Sequence, residues 1–202
     1  MLRDGVLGEL TEEQVEMLDK ISRSSNRLSD LVKNFLDLEK IDAGELEMGL
    51  VRFDLTSALE DNLEEFRERA IDRGLNLNYQ VEESLTITGD RQKLLQAISN
   101  LISNAIKFTK EGRVELRAST SGDNVKIIVE DEGVGIKQEE LERIFDKFYQ
   151  AASTEASTAK GTGLGLTFVK KIIESHDGRI SVSSEKGEGT KFTILLPVSE
   201  AR

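Results

Sequence analysis

Cysteine is absent from this 202-residue chain, which excludes disulfide staples and thiolate metal sites. Only one histidine is present, His176, so any imidazole chemistry would have to come from that position. No stretch approaches the roughly 18 consecutive apolar residues of a membrane span, and no charged-then-apolar leader opens the chain. These absences point to a cytoplasmic, reducing compartment, with no membrane contact from this segment. Basic stretches are missing too. With a formal net charge of −11 and no local compensation, phosphate neutralisation along a nucleic acid is excluded. An anionic small ligand would need a local positive site or a metal ion.

Periodicity supplies the architecture. Thr11 followed by Gln14 makes a capping box. From there apolar residues recur from Val15 through Leu18, Ile21, Leu28, Val32, Phe35 and Leu38 to Ile41, until Gly44 ends the run. About thirty helical residues extend about 45 Å, and so long an apolar stripe needs a partner, as in a bundle or coiled coil. A second helix is predicted over 55–73, with Leu55, Leu59, Leu63, Phe66 and Ala70 on one face. Strands are predicted over 75–83 and 85–90, and in GRVELRAST and NVKIIVED, the last two joined in a hairpin at Ser121, Gly122 and Asp123. Helices over 137–146 and 164–176 flank the small, polar stretch AASTEASTAKG, and GRISVSS and TKFTILLP close the chain around the turn KGEG. One layer of helices on one mixed sheet fits this order, an α+β two-layer sandwich behind a long N-terminal helix. The expected division is 1–48 and 49–202.

Three polar motifs stand out. The segment NLISNAIKFT places Asn100, Asn104 and Lys107 on one face of a helix whose other positions, Leu95, Ile98, Leu101, Ile102 and Ile106, are core-forming. Neutral amide oxygens suit Mg²⁺ bridging phosphates, and an ammonium can neutralise phosphate charge. The strand NVKIIVED runs into DEGVGI, where the Asp131 carboxylate could accept from an exocyclic amine such as adenine's, and Gly133 and Gly135 would let backbone approach a flat ligand. Asp-x-Gly-x-Gly is also common turn chemistry. In GTGLGL, Gly161, Gly163 and Gly165 precede a helix whose N-terminal amides could face phosphate oxygens. This spacing is neither the dinucleotide fingerprint nor a P-loop, and the protein-kinase set is missing.

In this order the motifs resemble the catalytic, ATP-binding domain of sensor histidine kinases along essentially the whole chain. NLISNAIKFT matches that family's N box, DEGVGI and GTGLGL its glycine boxes, IFDKFYQ its phenylalanine box, and GEGTKF its terminal strand turn. The resemblance implies the Bergerat fold with ATP and Mg²⁺ as cofactors. It makes Asn104 the metal ligand with support from Asn100, and Lys107 a phosphate contact beside Phe108. Asp131 would receive the adenine amine, Gly135 and Ile136 would line the base beside Gly133, and Thr190 would assist near Phe192. Phe145, Phe148 and Tyr149 would anchor a lid carrying Lys160, and Gly161 with Gly163, Leu164, Gly165 and Leu166 would cover the phosphates. Gln150 stands where some relatives carry a basic contact.

GELTEEQVEMLDK and the residues after it resemble the second helix of the family's dimerisation and phosphotransfer hairpin, with MLRDGVLG as the end of the first helix and the turn. The acceptor-histidine motif of that first helix is absent here. His176 reads as a helix C-terminal residue rather than an acceptor, with Asp177 in place of a glycine common in the family. The expectation is therefore ATP binding without self-phosphorylation, with the γ-phosphoryl going to a histidine outside this chain and then to a response-regulator receiver domain. The complete kinase would be a cytoplasmic homodimer, either free or as the cytoplasmic part of a membrane-anchored sensor, and this chain a monomer or a nonstandard associate. The rival expectations are an ATP-hydrolysing relative on the same fold and a noncatalytic signalling scaffold.

Overall fold

The computed structural model describes residues 10–151 and 161–198, which divide between Gly44 and Glu45 into two compact units. Among the described residues, the first unit holds one helix, α1 (Glu12–Asp42). Its capping box forms as expected: the Thr11 hydroxyl accepts from the Gln14 N–H, and the Gln14 side chain accepts from the Thr11 N–H. Val15, Met17, Ile21, Leu28, Val32 and Leu36 remain exposed along it. MLRDGVLG, the predicted hairpin turn, lies outside the described residues. No helix among the described residues is long and apolar enough to cross a membrane.

The second unit runs β1 (Leu50–Asp54), α2 (Leu55–Ile71), β2 (Asn76–Val81), β3 (Thr86–Asp90), α3 (Arg91–Phe108), β4 (Arg113–Ser121), β5 (Asn124–Asp131), α4 (Gly165–Glu174), β6 (Arg179–Glu185) and β7 (Gly189–Pro197). Five strands form a sheet in the order β2-β4-β5-β7-β6, in which only β2 and β4 run parallel. The β4–β5 hairpin turns at Gly122 and Asp123, with Gly122 at φ +61°. Asp54 and Asp90 cap α2 and α3, each accepting backbone N–H bonds from the first turn. α3 packs against α2 and α4, and all three helices contact the strands, which gives the two-layer sandwich that was expected.

Strand alternation positions the site. On β5 the buried positions are Val125, Ile127, Val129 and Asp131, so the period of two carries a carboxylate onto the face that otherwise buries apolar side chains. On β7 the buried side chains are Thr190, Phe192, Ile194 and Leu196, and Thr190 lies directly across from Asp131. Each fully buried aliphatic side chain in this layer contributes about 1.5–3 kcal/mol.

Three expectations need correction. The predicted helix over 137–146 is a 3-10 turn at Gln138–Glu140 followed by further turns. Bonds from Glu140, Leu141, Arg143 and Asp146 reach back three residues, and the tight winding turns Phe145 onto Phe192 and buries Glu140 and Ile144. β1 had no sequence signal because it is mostly exposed and barely alternates, and it pairs with β3 in a separate two-stranded sheet. On α3 the buried stripe includes Leu94 and Ala97, while Leu95 is only half-buried.

Candidate functional site

Where α3, the end of β5, the first turn of α4 and β7 meet, a crevice of about 60 Å³ is lined by Asn104, Ala105, Phe108, Asp131, Val134, Gly135, Ile136, Leu166, Thr190 and Phe192. Eight of these were expected site residues, and they come from four separate segments. Ala105 and Val134 were missed, although each sits beside a motif residue.

Asp131 is the chemical centre of the crevice. It is 8% exposed, and burial pushes its carboxyl up to about 6, against the opposing pull of N–H bonds from Gly133 and Thr190. The Gly133 N–H donates to Asp131 Oδ1 at 2.9 Å. Gly133 and Gly135 also meet a demand of the chain's own packing. A Cβ on Gly133 would meet Asp131 Oδ1 and the Phe108 carbonyl at under 3 Å, and one on Gly135, at φ +63°, would stand 1.9 Å from the Glu185 carbonyl oxygen. Both positions are glycine because protein backbone occupies that space.

Ser184, which carried no motif signal, ties this corner together. Its Oγ accepts from the Ile136 N–H at 2.8 Å, donates to the Gly189 carbonyl at 2.6 Å and lies 3.0 Å from Thr190 Oγ1. The register of the β6–β7 hairpin, Ser184 opposite Thr190, creates the contact. Only knowledge of that pairing could have exposed it in the sequence.

The polar face of α3 forms as expected. Asn104 reaches the crevice, while Asn100 lies beside Gly165, 3.8 Å from where a Cβ on that glycine would be. Asn100 Nδ2 is buried without a hydrogen-bond partner among the described residues. A buried amide left unpaired costs about 1–3 kcal/mol, so this group fits a polar ligand or ion better than a closed core. Turning the amide over presents its oxygen instead, the atom a hard cation takes. Among the described residues there is no cluster of His, Cys, Asp and Glu suited to a metal, so a cation here would rely on neutral amides and on its own anionic ligand. The donor set of Asn100 and Asn104 fits Mg²⁺ on those terms. The Lys107 ammonium lies 4.7 Å over the Phe108 ring and 3.3 Å from where a Cβ on Gly161 would be, so Gly161 leaves it room.

Around the expected lid, the structure gathers some residues and not others. Phe145 packs edge-on against Phe192 with ring centres 6.4 Å apart. The Tyr149 hydroxyl donates to Glu140 Oε1, and Arg143 stacks over its ring at 4.5 Å. Phe148, at φ +64°, is 60% exposed, while its N–H donates to the Gly163 carbonyl at 2.9 Å. Gly163, at φ +72°, has no room for a side chain there. Gln150 donates to the Gly161 carbonyl, joining the two flanks of the segment. Leu164 is buried and caps α4 without a side-chain hydrogen bond. Phe148, Tyr149, Gly161, Gly163, Leu164 and Gly165 thus stand outside the crevice lining, and Lys160 lies outside the described residues.

His176 is buried, with Nδ1 2.7 Å from the Ile172 carbonyl and Nε2 accepting from the Asp90 N–H at 2.9 Å. Nδ1 thus closes back onto α4 itself, and Nε2 ties the end of that helix to the start of α3.

Comparison with known proteins finds the family described as histidine kinase-, DNA gyrase B- and HSP90-like ATPase over residues 89–200, and the His kinase A phospho-acceptor domain over residues 1–44. Sensor protein GacS of Pseudomonas syringae pv. syringae is 35% identical over 98% of this chain, and sensor histidine kinase YclK of Bacillus subtilis is 34% identical over 89%. The chain spans 24% of the first relative's length and 38% of the second's. Among solved structures, full-length ShkA in complex with AMPPNP matches with a TM-score of 0.80 and 31% identity, over 96% of this chain and 40% of that one.

Proposed function

Because the chain belongs to the histidine kinase-, DNA gyrase B- and HSP90-like ATPase family, we propose that its second unit binds ATP with Mg²⁺ and serves a sensor histidine kinase, transferring the γ-phosphoryl to a histidine outside this chain. The observation that carries this reading is the pairing of a buried acceptor, Asp131, with the amide of Asn104 in one crevice. The carboxylate accepts the adenine amine, with Gly135, Ile136 and Thr190 against the base. Asn104, supported by Asn100, holds the metal, and Lys107 meets phosphate. The uncapped start of α4, from Gly163 to Leu166, turns backbone N–H groups toward the phosphates. Phe145, Phe148, Tyr149 and Lys160 belong to the lid. Bound Mg²⁺ supplies charge neutralisation between phosphates.

Transfer is favoured over hydrolysis by Asn100. A carboxylate one helical turn before the metal-binding amide could activate water, whereas an amide lacks the basicity. The phosphoryl group then passes to a response-regulator receiver domain, and the complete kinase works as a cytoplasmic homodimer. Residues 1–48 are its phosphotransfer part and 49–202 its catalytic part.

Calorimetry with ATP and Mg²⁺ tests the reading. Wild type should bind, Asp131→Ala should lose binding, and Asn104→Ala should lose the Mg²⁺-dependent part. Absence of heat in every variant would leave only a signalling scaffold.

A further inference from the structure

The two helices that carry the polar end of the site meet at two places. Asn100 of α3 lies beside Gly165, the first residue of α4. His176, just past the end of α4, bonds to Asp90, the N-cap of α3. The stretch from Asp90 to Asn100 and the length of α4 are each about 15 Å of helix, so the two run side by side in opposite directions.

The bond at His176 has a fixed chemistry. The Ile172 carbonyl can only accept, so Nδ1 carries the ring proton and Nε2 is the acceptor that the Asp90 N–H fills at 2.9 Å. Asp90 is itself held from both sides, Oδ1 accepting from the Lys93 N–H and Oδ2 from the Gly49 N–H, each at 3.1 Å. Gly89 makes room for the ring. A Cβ there would stand 2.9 Å from His176 Cδ2.

From this we infer that His176 is a positioning residue for the phosphate end of the nucleotide site: bonded to the start of α3, it sets the gap between Asn100 and Gly165, where phosphate and Mg²⁺ are held. The inference rests on the nucleotide reading above and deepens it. Close-packed helices transmit displacement instead of absorbing it, so a tilt released at Asp90 reaches the far end of the pair. The base end stands apart, because Asp131 and Thr190 are fixed by the register of β5 and β7.

Calorimetric titration of the whole chain with ATP, once with Mg²⁺ and once with EDTA, tests this. His176→Asn keeps an amide donor for the Ile172 carbonyl but falls short of Asp90, whereas His176→Gln sets an acceptor oxygen where Nε2 stood. His176→Asn should lose roughly tenfold in affinity with Mg²⁺ and little in EDTA, while His176→Gln stays within about threefold of wild type. Gly89→Ala, which drives a Cβ into the ring, should behave like His176→Asn and serves as the measurement if that variant does not fold. Equal loss in both conditions, no loss in either, or His176→Gln no better than His176→Asn overturns the positioning role while the nucleotide reading stands. No binding of ATP to wild type overturns both.

Discussion

At the scale of single residues, Asp131 makes the sharpest demand on solution behaviour. Its carboxyl is raised by burial from 3.8 to about 6. Between these values the unfolded chain has lost the proton and the folded chain still holds it. The contribution of this one group to stability is therefore largest below about pH 4 and is lost as pH rises through 6, by about 3 kcal/mol for a shift of this size. Ligand binding has the opposite sign, because an amine donor needs the ionised acceptor. Nucleotide affinity should climb from about pH 5 and level off above about pH 7, and Asp131→Asn should give a flat, weak profile by calorimetry. The residue types were legible: an acid at a strand end, amides and a lysine on one helix face, and glycines at fixed spacing. What made each glycine obligatory was not. Gly135 answers to the Glu185 carbonyl, fifty positions along the chain, and no local pattern encodes that approach.

At the scale of elements, the sequence was informative where one period ran unbroken. α3 and β5 each bury one clean face, and their polar positions were legible as exceptions to it. The segment after Ile136 has helical spacing, yet long-range contacts through Phe145 and Glu140 wind it into turns, and spacing alone cannot weigh those contacts. The end of α4 carries a measurable cost. Asp177 sits at φ +55° beside Gly178, whose N–H closes back onto the Ile173 carbonyl. A left-handed conformation costs an ordinary residue about 1 kcal/mol, less for an aspartate that bonds locally. Asp177→Gly should raise the melting midpoint modestly and leave nucleotide affinity unchanged, because the substitution lies at the far end of α4 from the start proposed to meet phosphate.

For the whole molecule, the presence of one histidine has a chemical corollary. A reaction that needs both a nucleotide and an imidazole acceptor finds only His176, whose two ring nitrogens are already bonded. With γ-labelled ATP, this chain alone should gain no stoichiometric label, and turnover without an added acceptor should stay slow; rapid hydrolysis would favour the ATPase reading. The net charge and the absence of long apolar runs bounded this outcome before any element was placed, whereas the partner for the exposed face of α1 is beyond what patterning can name. The single parallel pairing, β2 beside β4, carries a kinetic consequence. The two antiparallel hairpins can zip from their own turns, but β2 finds its neighbour only after the intervening strand and helix are in place. Pulse-labelled hydrogen exchange should accordingly show the amides of β2 gaining protection after those of the β4–β5 hairpin.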